Sequence, residues 1–324
     1  MSMFMMHQIL IHFCVLASIF LTSHAQAQHM GTHSKQNAMG HIDKVQGNRA
    51  KADDAPQAPK GSDLPGAQAP APIPAADALE LPQADFTPLR QDRNDRILDI
   101  IDPLTIRGEK IGIIRLSGLD IPDYNPYQQG PLAESAAYIL RDMLSDTPVR
   151  LYHTRDKTTG RKNRMNQSLY HVVIADSESW VQGILVRLGL ARVRTDPSTP
   201  EMARDLYTLE TQAREEKLGL WAFDHYKVLS PDEASAHLNT FAIVEGKVVS
   251  AARKQNNIYL NFGQNWREDF TIQVKPINAR RFDAAGINLL NLNGQTIRVR
   301  GWLQSYNGPY IEIDHPERIE IISP

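Results

Sequence analysis

Cysteine is almost missing from this chain. Of 324 residues only Cys14 is one, and it lies in the first hydrophobic run. No disulfide framework, cysteine-ligated zinc site or thiol nucleophile is therefore open to the folded body. A surplus of one charge sign is missing too: 35 Lys+Arg stand against 37 Asp+Glu, a net charge of −2. Bulk attraction to nucleic acid is excluded, but a local basic patch is not. The most apolar stretch, Ile9 to Leu21 (ILIHFCVLASIFL), has 13 residues, short of the ~20 that span a bilayer. The length itself predicts two folded units plus extras, since single cores rarely grow past ~250 residues.

What the N-terminus does have is the make-up of an export signal. The apolar core is followed by Ser23-His24-Ala25-Gln26-Ala27, whose small residues predict cleavage before Gln28. No Lys or Arg precedes the core, so the positive region is the free amine and His7. Residues 1–27 are expected to be a signal peptide and the protein periplasmic or secreted, with no membrane span after cleavage. Retention as an uncleaved anchor is the alternative. Residues 28–90 hold 8 of the 20 prolines among Ala, Gln, Asp and Gly. Such a stretch buries too little apolar surface to offset its ordering entropy, and reads as a disordered linker. His29, His33 and His41 in it match no compact metal spacing and read as solvated polar residues.

Periodicity begins near residue 94. Strands are expected at Arg96–Ile101, Thr105–Ile106, Ile111–Leu116, Val149–Tyr152 and Leu169–Ile174. Apolar residues at helical spacing predict helices from Pro131 to Leu144 and from Trp180 to Leu188, the second stopped by Gly189. A third is expected to start at Thr199-Pro200-Glu201, an N-cap, a first-turn proline and an early acid, and to run to about Lys217. Its inner face would be Ala203, Leu206, Leu209 and Ala213.

Short motifs in this unit resemble those of the staphylococcal nuclease-like (thermonuclease) family. They are Arg115-Leu116-Ser117-Gly118-Leu119-Asp120-Ile121-Pro122-Asp123, Gly189-Leu190-Ala191-Arg192-Val193, and Glu210 to Ala213 followed by Lys217-Leu218-Gly219-Leu220-Trp221. They occur in the family's order across about 130 residues. The resemblance implies an OB-type five-stranded barrel over residues 94–226. It also implies metal-assisted phosphodiester hydrolysis: a Ca²⁺ ion held by two aspartates and a carbonyl, a glutamate acting on water, and two arginines on the phosphate.

Carried over residue by residue, Arg115 falls on the first arginine and Asp120 on one metal aspartate. Asp123 stands in place of the glutamate, one methylene shorter. Leu104 falls on the other metal ligand, where a side-chain oxygen is required. The second arginine falls on Gln167, with the preceding glycine on Asn166. An alternative register uses Gly160-Arg161.

A basic segment, with Arg150, Arg155, Lys157, Arg161, Lys162 and Arg164 against Asp156, could track a phosphate backbone or be a solvated loop.

Ser230-Pro231-Asp232-Glu233 is a capping box. Beyond it, residues 240–324 carry six strand patterns: Phe241–Val249, Ile258–Phe262, Phe270–Val274, Thr296–Leu303, Tyr310–Ile313 and Ile319–Ile321. A helical segment is expected between Arg280 and Leu290. This order resembles a second OB-type module. Asn261, Trp266, Arg267, Arg298, Arg300, Trp302 and Tyr306 are candidates for a binding face, and His315 is expected in a turn without a predictable partner. The fold class is thus mainly β with helices (α+β), two OB-type barrels in tandem.

Two functions remain open. One is an exported module binding nucleic acid or an envelope protein, with little or no cleavage and no cofactor. The other is a secreted Ca²⁺-dependent nuclease with a site rebuilt from Asp102, Asp120, Asp123 and Arg161.

Overall fold

The computed structural model describes residues 84–265 and 267–322. The expected signal peptide, most of the linker and Trp266 lie outside the described residues. The fold is mixed α+β and mostly strand. Among the described residues no helix is long and apolar enough to cross a membrane.

Five N-terminal strands form a closed ring in the order β1-β2-β3-β6-β5. They are β1 (Leu89–Asp102), β2 (Thr105–Gly108), β3 (Gly112–Leu116), β5 (Pro148–Thr154) and β6 (Ser168–Ile174). Only the β3–β6 pair is parallel. β1 starts at Leu89, ahead of the alternation that predicts a strand. Its first half, Leu89–Arg96, pairs with β5, and its second half pairs with β2. The first half carries Arg90, Gln91, Arg93 and Asn94 to solvent, so it shows little hydrophobic alternation. Ahead of it, Phe86 stacks on Tyr152 at 4.7 Å and meets Trp180 edge-on.

Three helices support the ring: α1 (Pro131–Leu144), α2 (Val181–Arg187) and α3 (Ala203–Glu215). α3 begins three residues later than its sequence predicts, with Met202 rather than Thr199 as its N-cap. Thr199 instead closes a turn on Asp196, and Met202 enters the helix at φ 66. The two-stranded ladder β4 (Leu119–Asp120) with β7 (Arg192–Val193) stands beside the ring.

The C-terminal unit likewise has a single parallel pair among antiparallel neighbours, but in a seven-stranded sheet rather than a closed ring. β8 (Phe241–Lys247), β9 (Ser250–Lys254), β10 (Asn257–Asn261), β11 (Thr271–Val274), β12 (Thr296–Ser305), β13 (Pro309–Ile313) and β14 (Ile319–Ile322) form one sheet with its own buried core. β11 and β13 are its parallel pair. β9 is a strand that the sequence pattern does not predict, because four of its five residues are exposed or charged. The segment expected to be helical at 280–290 is α4 (Pro276–Ala284) followed by a 3-10 turn at Leu289–Leu292. The Ser230 capping box is present and opens a 3-10 helix, Pro231–His237.

A small third cluster joins the units: Ala213, Leu218, Leu220 and Trp221 pack with Ile243 of β8. Beside it runs a buried ionic seam. Arg300, fully buried, contacts Glu210 of α3 at 3.0 Å and Glu320 at 2.6 Å, and lies 4.1 Å over the Tyr207 ring. Burial opposes its charge, but Glu210, Tyr207 and Glu320 outweigh burial and hold the guanidinium above its ordinary pKa. Arg300 is therefore removed from any binding face. Arg298 is likewise engaged by Glu245 and Glu320. His315 is buried and does have a partner, Thr195 Oγ1 at 2.8 Å.

His171 on β6 is buried against Trp180, and its Nδ1 has no partner. Burial pushes its pKa down to about 3. The unfolded chain therefore binds a proton, at about pH 6.5, that the folded chain refuses. The associated stability is full above about 6.5 and is lost as pH falls toward 3, at about 1.4 kcal/mol per unit. The stability lost between pH 7 and 5 should shrink by about 2 kcal/mol in His171→Gln, measured by urea melts at both pH values.

Candidate functional site

The motif residues converge at one end of the ring, where β1 turns into β2 and β3 runs out to β4. Asp102 ends β1 and makes a tight turn, accepting Leu104 N–H at 2.7 Å. That turn sends the Leu104 side chain into the core, where it is 3% exposed. Asp102 faces the other way. Its Oδ1 accepts from Arg115 Nη1 at 3.3 Å, and it is hydrogen-bonded by Tyr124. Arg115 on β3 sits opposite Thr105 on β2 and also donates to Thr105 Oγ1 at 2.9 Å. Burial lowers the Arg115 pKa, opposed by Asp102, Tyr124 and Asp120. An arginine so placed still stays charged at physiological pH. Burial raises the Tyr124 hydroxyl, and the Asp102 carboxylate adds to that.

Asp120 is held from the neighbouring strand. It pairs with Arg192 in the β4–β7 register. Arg192 Nε and Nη2 both lie 2.8 Å from its Oδ2, and Arg194 Nη1 lies 3.1 Å from its Oδ1. Arg192 continues into the C-terminal unit: it donates to the Phe241 carbonyl at 2.8 Å and stacks 4.6 Å from the Phe241 ring.

Asp123 is spent on the start of α1. Its two oxygens accept Leu132 N–H and Ala133 N–H at 2.8 and 2.9 Å. A side chain at Gly130 would meet Asp123 Oδ2 at 2.3 Å, so glycine there permits the close approach. Burial raises the Asp123 pKa, and the two amide donors pull the other way. The α1 terminus itself favours an anion at this position.

Gln167 lies at the start of β6. Its amide group accepts from Asn163 Nδ2 at 2.6 Å, and its N–H bonds back to Asn163 Oδ1. Asn166 before it has φ 60, the backbone that a glycine position demands. Gly160, the glycine of the alternative register, has positive φ as well, so the backbone fits both registers. Gly160, at φ 76, fits its own turn against Ser198, and Arg161 Nε is bonded to the Asp156 carbonyl. Arg161 is half-buried and close enough to Tyr170 for its charge to act on that hydroxyl.

The rest of that loop is open. Arg155, Lys157, Lys162 and Arg164 are exposed. Arg155 donates to the Thr87 carbonyl and Lys162 to Asn166 Oδ1. Among the described residues none of these four, nor Arg161, forms an ion pair with a carboxylate. Arg150, by contrast, pairs with Glu178.

Residues 113–223 match the family model described as staphylococcal nuclease homologue. This stretch is thus a domain of the staphylococcal nuclease family, which is a nuclease family. No curated protein matches the chain. The matched stretch starts on β3, so it includes Arg115, Asp120, Asp123 and Gln167 but not Asp102 or Leu104.

Active members of that family use Ca²⁺, which takes 6–8 oxygen ligands. The residues here do not fit it. Leu104, which the motif resemblance puts where a second carboxylate ligand would stand, is buried in the core. Both oxygens of Asp120 carry guanidinium groups, Asp102 faces Arg115, and Asp123 caps a helix. Among the described residues no group of three or more His, Cys, Asp or Glu is placed to hold a metal ion. The pair that sequence reasoning missed is Arg192 and Arg194. Arg194 lies just past the two-residue strand β7, so no strand periodicity signalled the pair.

Proposed function

We propose that this is an exported, nuclease-fold protein that binds nucleic acid and does not cleave it by metal-assisted hydrolysis. The observation that carries this reading is the state of the three aspartates. Asp102, Asp120 and Asp123 each have internal partners, with no oxygen cluster left between them. Losing one positioned charge donor typically costs 10²–10³ in rate, and here a ligand and the second arginine are both replaced. The basic loop supports binding, because cations without carboxylate partners attract phosphate and release its counterions.

The ring order, with one parallel pair recurring in both units, supports OB-type modules over residues 94–226 and 240–324. The N-terminal segment supports export to the periplasm or medium, with an uncleaved anchor as the alternative. An envelope protein is the competing partner.

The test has two arms. Incubation with DNA and RNA in Ca²⁺, Mg²⁺ or Mn²⁺ should release no acid-soluble nucleotides. Metal-dependent release that disappears in Arg115→Ala would overturn the reading and return the chain to the working nucleases. In the second arm, a gel shift on single-stranded DNA should weaken steeply with salt. Replacing Lys157, Lys162 and Arg164 together by Gln should weaken binding and lower the log–log salt slope by about 2. No shift at any salt would point to a protein partner instead.

A further inference from the structure

We propose that Arg115, Arg194 and the exposed indole of Trp302 form a nucleotide subsite, the guanidiniums taking a phosphate and the indole stacking on a base of single-stranded nucleic acid. The proposal rests on the nucleic-acid reading above and adds the C-terminal unit to the surface that binds.

The charges at the site do not cancel. Arg115, Arg192 and Arg194 stand against Asp102 and Asp120, which leaves one positive charge. Arg192 is buried under Phe241, but the Arg194 side chain is 40% exposed and that of Arg115 27% exposed. Each of these two uses only Nη1 in its bonds to the carboxylates, so Nε and Nη2 of both have no bonding partner among the described residues. Free guanidinium edges of that kind suit a phosphate. Arg194 also supplies a second arginine near Arg115, although the family's own position for it holds Gln167. Its backbone N–H bonds the Gly118 carbonyl, three residues from Arg115, and its charge is felt there.

The aromatic part comes from β12. Trp302 pairs across strands with Phe241, whose ring it meets edge-on at 6.3 Å. Arg194 lies 5.9 Å from the Trp302 ring and 5.5 Å from that of Phe241. Trp302 remains 49% exposed, while Trp180 and Trp221 are buried. A large indole left in water beside an arginine with free donors combines the two elements of sequence-tolerant single-strand binding: a cation for the backbone and a π-face for the base.

The experiment is a titration of the full chain with an oligothymidylate of about eight nucleotides, followed by tryptophan fluorescence and by anisotropy of a labelled strand. Binding should quench the emission that Trp302→Ala removes. Trp302→Ala should weaken affinity roughly 5- to 100-fold with an unchanged salt slope, because stacking releases no counterions. Trp302→Phe should keep most of the affinity. Arg194→Gln should weaken binding and also lower the slope by about 1. Urea melts of each variant show whether it is folded. Folded Trp302→Ala that binds as tightly as wild type, beside a weakened Lys157/Lys162/Arg164 variant, would overturn the subsite and leave the nucleic-acid reading standing. Wild-type protein that binds no strand even at low salt would overturn both.

Discussion

Glu210→Ala is expected to destabilise the protein by about 3–5 kcal/mol. Glu210 is fully buried on α3, where it accepts the Val193 N–H at 2.8 Å and faces Arg300 at 3.0 Å and Arg214 at 3.7 Å. Removing it leaves the fully buried Arg300 guanidinium with Glu320 as its remaining carboxylate partner, takes the carboxylate from Arg214, and leaves the Val193 N–H unpaired. The cost comes from these desolvated, under-compensated groups rather than from the attraction lost. Replacing Glu210 by Leu and Arg300 by Met together removes both charges and should recover a substantial part of the loss. Urea melts of the single and double variants measure the coupling. A single variant within 1 kcal/mol of wild type would show that the seam does not hold the units together.

Gly219→Ala should be comparably severe. Gly189 and Gly219 come from two of the motifs and meet backbone to backbone, with Leu220 N–H donating to the Gly189 carbonyl at 2.8 Å. A methyl group on Gly219 would sit 2.3 Å from the Gly189 oxygen, and one on Gly189 would sit 2.1 Å from the Leu218 oxygen. Both residues also have positive φ, 53 and 66. Strain of about 1–3 kcal/mol from the backbone and a similar amount from overpacking predict a loss of about 2–6 kcal/mol for either alanine. The check is a thermal melt against Gly286→Ala. That residue also has positive φ (74), but its methyl group would meet nothing within 4 Å. Gly219→Ala that costs no more than Gly286→Ala would mean that the two turns can move apart.

The fold was legible where local pattern and tertiary environment agree. Ile297 and Val299 point into the C-terminal core as their alternation requires. The opposite face of the same strand was read as solvent-facing, and there the reading failed for Arg300. That face is covered by α3, and the covering partner, Glu210, lies 90 residues away. No period along one strand reports what packs on its far side. The start of α3 failed for a similar reason: a turn between Asp196 and Thr199 uses the residues that would otherwise cap a helix.

At the site, it was legible from residue type that Leu104 offers no oxygen, but its burial in the core and the left-handed backbone at Asn166 are findings of the fold. The engagement of Asp120 was not. It depends on β4 meeting β7, a ladder of two residues each, too short to leave a pattern.

The arginines on Asp120 bear on whether a metal could be seated here. A single substitution, Leu104→Asp, would put a carboxylate in a corner whose neighbour Asp120 is already neutralised. A cation could enter only after Arg192 and Arg194 had been displaced, and Arg192 also carries the carbonyl and ring of Phe241. Each step toward hydrolysis would thus loosen the junction of the two halves before it gained any chemistry. On the non-cleaving reading proposed above, the same two arginines that neutralise Asp120 also tie the halves together, so a metal site and an intact junction compete for them.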